Sequence, residues 1–232
     1  MFLLRGEIGG GKTTLARYIK QQLDAKPETY AVAYLNSPVT RSHAGFLRDV
    51  LSAFKVEPAR NLADLNRIML RFLLDAQEQK RTVVLLLDEA QMLSTPSFDL
   101  LHTLSNHQTL SVQLLQVILF AQPNIDNKLE QRPALTSRIT GAAYLGVLAF
   151  EDAIDLLRFR AGVVGDEDSF DRIFPEGIHK ALYNVSGGLA RDLCVYADAA
   201  LVTAYARGLK QVDELAVIDA AKDLLFKKRV RK

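Results

Sequence analysis

The sequence has a single cysteine, Cys194, in 232 residues. A lone thiol excludes an internal disulfide and a cysteine-built zinc cluster, and it suits a reducing compartment. Metal-ligand spacing is missing as well, because the four histidines (His43, His102, His107 and His179) show no interval that would hold a metal. No apolar run approaches the ~18 residues that a membrane-spanning helix needs. A secretory signal is not expected, since Met1-Phe-Leu-Leu-Arg5 runs straight into the first motif. An excess of either charge is missing: 29 basic against 27 acidic side chains leave a net +2, which does not by itself argue for nucleic acid. Internal repeats and low-complexity segments are absent. What remains is ordinary globular composition, 49% apolar and 24% charged, with room for one large α/β domain or a core domain plus a smaller partner.

Against that background the stretch Gly6-Glu7-Ile8-Gly9-Gly10-Gly11-Lys12-Thr13 stands out. It fits the phosphate-cradling pattern GxxxxGK[ST], follows the short apolar run Phe2–Leu4, and precedes a helical pattern from Thr14 onward. Glycines at 6, 9, 10 and 11 are expected to take positive φ and curl the backbone around an anion, with successive N–H groups pointing inward. The following helix turns its positive end to the same anion. Lys12 is placed to reach the β- and γ-phosphates, and Thr13 to offer a hydroxyl to Mg²⁺. ATP and Mg²⁺ are therefore the expected ligands, with residues 6–14 as the binding loop. Only five residues precede Gly6, so the nucleotide base is expected to be held by later residues or by an upstream segment.

Strand-like and helix-like signals alternate over the first two-thirds. Strands are expected at Phe2–Arg5, Tyr30–Leu35, Thr82–Leu87, Leu114–Phe120 and, more weakly, Ala142–Leu148. Helices are expected at Thr13–Leu23, Ser42–Phe54, Leu62–Gln79 and Pro96–His107, with Ser42 as a cap. This alternation implies a parallel sheet with right-handed crossovers. After Phe150 the strands stop. Glu151–Ala161, Pro175–Asn184, Gly188–Arg207 and Val212–Lys227 read as helices, broken by 162–168 and Ser186-Gly187-Gly188. The expectation is a nucleotide-binding α/β domain over 1–149 and a small all-helical domain over 150–232.

The apolar strand 82–87 ends in Asp88-Glu89. An open parallel sheet binds ligands at the carboxyl ends of its strands, so both acids emerge on the side of the phosphate loop. Asp88 is the expected Mg²⁺ partner, through water, and Glu89 the group that orients and polarises the attacking water. Gln122, at the end of another buried strand, can bond the γ-phosphate or that water. Arg138, just before the last strand, is placed to stabilise transition-state charge in a neighbouring subunit; Arg132 is a weaker competitor. Arg191, opening a helix after Gly187-Gly188, can reach back to the nucleotide.

Together these features resemble the AAA+ ATPases. Within them, the segments LLDEAQMLS (86–94), LSNHQT (104–109), LLQVILFAQPNID (114–126), SRIT (137–140), RFRAG (158–162) and VSGGLAR (185–191) are similar to the ExeA-type ATPases of type II secretion and MSHA-type pilus biogenesis. The resemblance implies a P-loop NTPase fold with a five-stranded parallel sheet in the order 5-1-4-3-2, sandwiched by helices, and a helical lid. It also implies active sites between subunits and ring-like or helical homo-oligomers, with functional roles for Lys12, Thr13, Asp88, Glu89, Gln122, Arg138 and Arg191. Where that family carries proline before the lid arginine, this sequence has Ala190. The family's C-terminal membrane span and peptidoglycan-binding module have no counterpart in this stretch.

Two roles fit these residues. One is a bacterial cytoplasmic ATPase, peripheral to the inner membrane, that serves assembly of a secretion or pilus machine. The other is an ATP-dependent regulator of transposition that forms rings or filaments on double-stranded DNA. Arg41, Arg48, the basic tail Lys227–Lys232 and scattered lysines are the candidate DNA-facing cations.

Overall fold

A computed structural model describes residues 1–38, 40–108, 112–165 and 168–230, with side chains through Leu224 in the last stretch. The chain divides into two compact units, residues 1–8 with 12–145, and 9–11 with 146–232.

The first unit is built on five parallel strands: β1 (Phe2–Gly6), β2 (Tyr30–Asn36), β3 (Thr82–Asp88), β4 (Leu115–Ala121) and β5 (Gly141–Leu145). Their order is β2-β3-β4-β1-β5, the expected 5-1-4-3-2 read from the other edge. Helix α1 (Lys12–Asp24) lies on one face, where Ala16, Leu15 and Ile19 pack with Leu4, Val84, Leu86 and Phe120. Helices α2 (His43–Ala53), α3 (Leu62–Glu78) and α4 (Thr95–Leu104) supply the apolar stripes of the opposite layer. There Phe46, Leu65, Met69 and Leu101 meet Leu85, Leu87, Val117 and Leu119. A strand sends alternate side chains to alternate faces, so a strand covered on both sides must be apolar throughout. Val83–Leu87 meets that demand, and truncating fully enclosed Leu85 to alanine would cost about 2–5 kcal/mol.

Side-chain oxygens start the helices. Ser42, Asn61 and Ser94 accept the backbone N–H groups of Gly45, Asp64 and Ser97, each worth about 1 kcal/mol. Two expected elements are shorter than anticipated. Helix α4 stops at Leu104, not His107, because the Ser105 hydroxyl takes the His102 carbonyl and the His107 carbonyl accepts Leu114 N–H. Gln108 and Gln113 then pair as an antiparallel bridge. Strand β5 stops at Leu145, not Leu148. Leu148 instead exchanges bonds within the second unit, its N–H to Gly188 and its carbonyl from the Tyr183 hydroxyl. The short helices α5 (Ile125–Glu130) and α6 (Pro133–Thr136) fall where no element was expected.

The second unit is helical: α7 (Phe150–Val164), α8 (Ser169–Ile173), α9 (Glu176–Ser186), α10 (Ala190–Ala206) and α11 (Glu214–Val230). Small residues let two of them approach closely, with Ala197, Ala200 and Ala204 of α10 sharing a core with Ala216, Val217 and Ala220 of α11. Helix α9 ends on Gly187 in the left-handed region, φ 59°. The side chains of the basic tail 227–232 lie outside the described residues. Among the described residues, no helix is long and apolar enough to cross a membrane.

Candidate functional site

The expected phosphate loop joins β1 to α1. Positive φ falls at Gly9 (87°) and Gly11 (96°), but not at Gly6 or Gly10. Gly6 is needed for a different reason: a Cβ there would meet the Leu145 carbonyl oxygen at 2.6 Å, so strand β5 leaves no room for one. The Glu7 carboxylate accepts the Tyr144 hydroxyl of β5 at 3.1 Å, while Ile8 and Thr14 are exposed. That bond raises the Tyr144 phenol above its ordinary pKa. Lys12 is buried, and its ammonium donates to the Gly6 and Glu7 carbonyls at 2.8 and 2.9 Å. It therefore sits at the mouth of the loop with its charge held by main-chain oxygens.

Strand alternation decides what surrounds Asp88. Residues 82, 84, 86 and 88 of β3 face α1, as do 30, 32 and 34 of β2, which pairs with β3 in register. Asp88 is fully buried there, at 0% exposure. Its Oδ2 accepts Thr13 Oγ1 at 2.6 Å and the Tyr34 hydroxyl at 3.0 Å, and its Oδ1 accepts the Glu89 N–H at 2.9 Å. A buried carboxylate with three donors is well satisfied. The loop threonine and the strand-end aspartate, 75 residues apart in sequence, are thus in direct contact. Tyr34 did not figure in the sequence reading. Burial first, and then the bond and charge of Asp88, push its phenol up to about 12, against a downward pull from Arg17. Its hydroxyl accordingly remains a donor at neutral pH.

Glu89 occupies the left-handed region (φ 52°, ψ 38°), unusual for a residue with a long side chain. A 3-10 turn, Ala90–Met92, follows. The Glu89 Oε2 accepts two amides, Gln91 Nε2 at 2.5 Å and Gln122 Nε2 at 3.2 Å. Gln122 was expected to face a phosphate or water; its amide is turned to Glu89 here. Gln91, given no role of its own in the sequence reading, accepts the Gln122 N–H on its Oε1 at 3.0 Å.

The arginines differ in surroundings. Arg138 follows α6, half-buried, and its guanidinium has no hydrogen bond or ion pair among the described residues. Arg132 is engaged instead: it bonds the Lys128 carbonyl and Thr95 Oγ1 and lies over the Phe98 ring. Arg191 is the second residue of α10 and is exposed. The loop tip Gly9–Gly11 groups with the second unit, and there the Arg191 N–H donates to the Gly9 carbonyl at 3.0 Å.

No cluster of three or more His, Cys, Asp and Glu side chains forms a ready metal cage among the described residues. Thr13 and Asp88 fit Mg²⁺ in another way. Mg²⁺ is commonly held by one or two protein oxygens plus phosphates and retained waters. A hydroxyl already bonded to a buried carboxylate offers such a pair.

A family model described as an AAA domain matches residues 1–129. The chain belongs to the AAA domain family. It is 35% identical over 221 residues to general secretion pathway protein A of Aeromonas hydrophila, which bears out the ExeA-type resemblance. That match covers 90% of this chain and 38% of the relative, so the chain spans well under half of that protein's length. Solved structures of this AAA fold include Drosophila ORC bound to DNA, with TM-score 0.74 and 16% identity over 97% of this chain and 55% of that one. Cdc6p from Pyrobaculum aerophilum gives TM-score 0.70 and 16% identity, covering 96% and 61%. Aeropyrum pernix ORC2 gives TM-score 0.68 and 21% identity, covering 95% and 61%. At these identities the likeness speaks to the fold, a P-loop NTPase sheet with helices around it.

Proposed function

We propose that this AAA protein hydrolyses Mg²⁺-ATP and uses the cycle to drive assembly of a bacterial secretion or pilus machine. The observation that carries the reading is the Thr13–Asp88 contact, with Glu89 next in sequence. Residues 6–14 hold the triphosphate, and Lys12 moves from the main-chain carbonyls to the β- and γ-phosphates. Thr13 and Asp88 hold Mg²⁺, which when bound neutralises charge on the phosphate oxygens. Glu89 orients a water in line with the γ-phosphorus and accepts its proton as the bond to the departing ADP oxygen breaks. Gln122 steadies Glu89.

Arg138, whose guanidinium has no partner among the described residues, is supplied to the γ-phosphate of a neighbouring copy, which makes the active unit a homo-oligomer. Arg191, whose N–H is bonded to the loop tip at Gly9, is the group that answers to nucleotide state. The secretion role is supported by the 35% identical general secretion pathway protein A.

Phosphate release by the purified protein tests the hydrolytic reading. The wild type should turn over, Glu89→Gln should bind ATP but stall, and Arg138→Ala should lose turnover while each copy still binds nucleotide. Normal turnover by Glu89→Gln would rule out the assigned base. A gel shift with duplex DNA at two salt concentrations separates the roles, because strong, salt-sensitive, ATP-dependent binding would favour the DNA regulator.

A further inference from the structure

We infer that Gln91 is a positioning residue for the hydrolytic step, holding Glu89 and Gln122 in one closed arrangement. The inference rests on the proposed role of Glu89 as the group that activates water. Gln91 is 4% exposed, and both ends of its amide are used. Its Nε2 donates to Glu89 Oε2 at 2.5 Å, and its Oε1 accepts the Gln122 N–H at 3.0 Å. Gln122 closes the circuit by donating its own Nε2 to the same Glu89 oxygen at 3.2 Å. Two neutral donors thus load Oε2. Oε1 of Glu89 has no bond among the described residues, which leaves it as the oxygen that can accept a proton from water.

The turn that carries Gln91 is itself pinned. Lys128 of α5 donates to the Gln91 and Leu93 carbonyls at 2.5 and 3.1 Å. Arg132 in turn bonds the Lys128 carbonyl at 2.8 Å. Glu89 needs this support, because its left-handed backbone is a conformation that its surroundings must impose. The amide at position 91 donates to the carboxylate from one atom and accepts from the strand end on another. A carboxylate would keep the acceptor and lose the donor, and a thioether would lose the donor and leave only a weak acceptor.

The test uses the full chain, with Gln91→Glu as the near-isosteric variant and Gln91→Met as a neutral second. Steady-state phosphate release gives kcat and KM, a fluorescent ATP analogue gives affinity, and urea unfolding reports the fold. A hydrogen bond to a charged group corresponds to roughly 10- to 100-fold in rate, so kcat should fall by that factor in Gln91→Met and by at least as much in Gln91→Glu, where a second carboxylate faces Glu89. KM and analogue affinity should stay within about threefold, since Gln91 touches no nucleotide-binding group. The decisive comparison is single-turnover hydrolysis in a Glu89→Gln background. A residue that acts through Glu89 has nothing left to position there, so adding Gln91→Met should change the residual rate by less than about threefold. An equal loss in both backgrounds, or unchanged kcat in a folded variant, would overturn the assignment. Wild-type protein without turnover, or Glu89→Gln turning over normally, would instead sink the reading beneath it.

Discussion

Replacing Gly6 with alanine would place a Cβ 2.6 Å from the Leu145 carbonyl oxygen and 3.2 Å from the Leu145 Cβ. Real Cβ atoms essentially never come closer than 3.0 Å to such an atom, so something has to move. What must move is main chain, because Gly6 and Leu145 are registered partners in adjacent strands. Backbone torsion is not the obstacle, since Gly6 lacks a positive φ. Overpacking of this kind costs about 1–3 kcal/mol, and for a chain of this size each kcal/mol lowers Tm by about 2–4 °C. Gly6→Ala should therefore melt roughly 2–12 °C below wild type. Nucleotide affinity should fall with it, because the Lys12 ammonium rests on the Gly6 and Glu7 carbonyls. Gly141→Ala, at the other end of β5, is the control. Its Cβ would meet the Phe2 ring at 2.8 Å, but a half-exposed ring can rotate away, so the loss should stay below about 1 kcal/mol. Thermal melts and nucleotide titrations on both variants decide the matter. A Gly6→Ala protein that melts with wild type, or a Gly141→Ala protein that is the worse of the two, would refute the steric account.

Other outcomes follow from single contacts. Thr13→Ala removes the hydroxyl bonded to Asp88, so ATP affinity should drop roughly tenfold with Mg²⁺ and stay unchanged with EDTA; equal losses in both would argue against metal binding there. The Tyr34 phenol is raised from its ordinary 10.0 to about 12, so the folded state keeps a proton that the unfolded chain releases above pH 10. Its contribution to stability is intact below pH 10 and is lost between pH 10 and 12, and Tyr34→Phe should flatten the fall of the urea midpoint across that window. Burial pushes the Cys194 thiol upward, with Arg160 pulling against it. Iodoacetamide at pH 8 should therefore label the native protein at least several-fold more slowly than the urea-unfolded chain, and equal rates would contradict that burial.

What the sequence makes legible here depends on range. The loop glycines, the apolar strands and the Asp88-Glu89 strand end are local patterns, and all five strands overlap the stretches those patterns mark, with β5 ending three residues early. Helices α5 and α6, of six and four residues, are shorter than two helical turns, so apolar spacing has no room to declare them. Tyr34 reads as one more packing residue in YAVAYL. Its link to Asp88 depends on β2 and β3 pairing in a register that brings their α1-facing residues side by side. Gln91 is harder still, because its amide meets Glu89 across a turn that begins with a left-handed backbone at Glu89, a conformation glutamate rarely takes. Gly6 was legible as necessary, but for a torsional reason, where crowding by β5 is the actual one.

Strand β1 lies between β4 and β5, so Phe2 finds its neighbours at Ile118 and Gly141. The ribosome delivers the first of these partners long before the other two. A nascent chain therefore carries the glycine loop without its flanking walls until β5 has left the exit tunnel, and nucleotide capture cannot help the earlier stages of folding. Such distant pairings also slow the search for the native state. Refolding from denaturant should accordingly be a slow, late-committing process, in which triphosphate added at the start alters the final yield more than the initial rate.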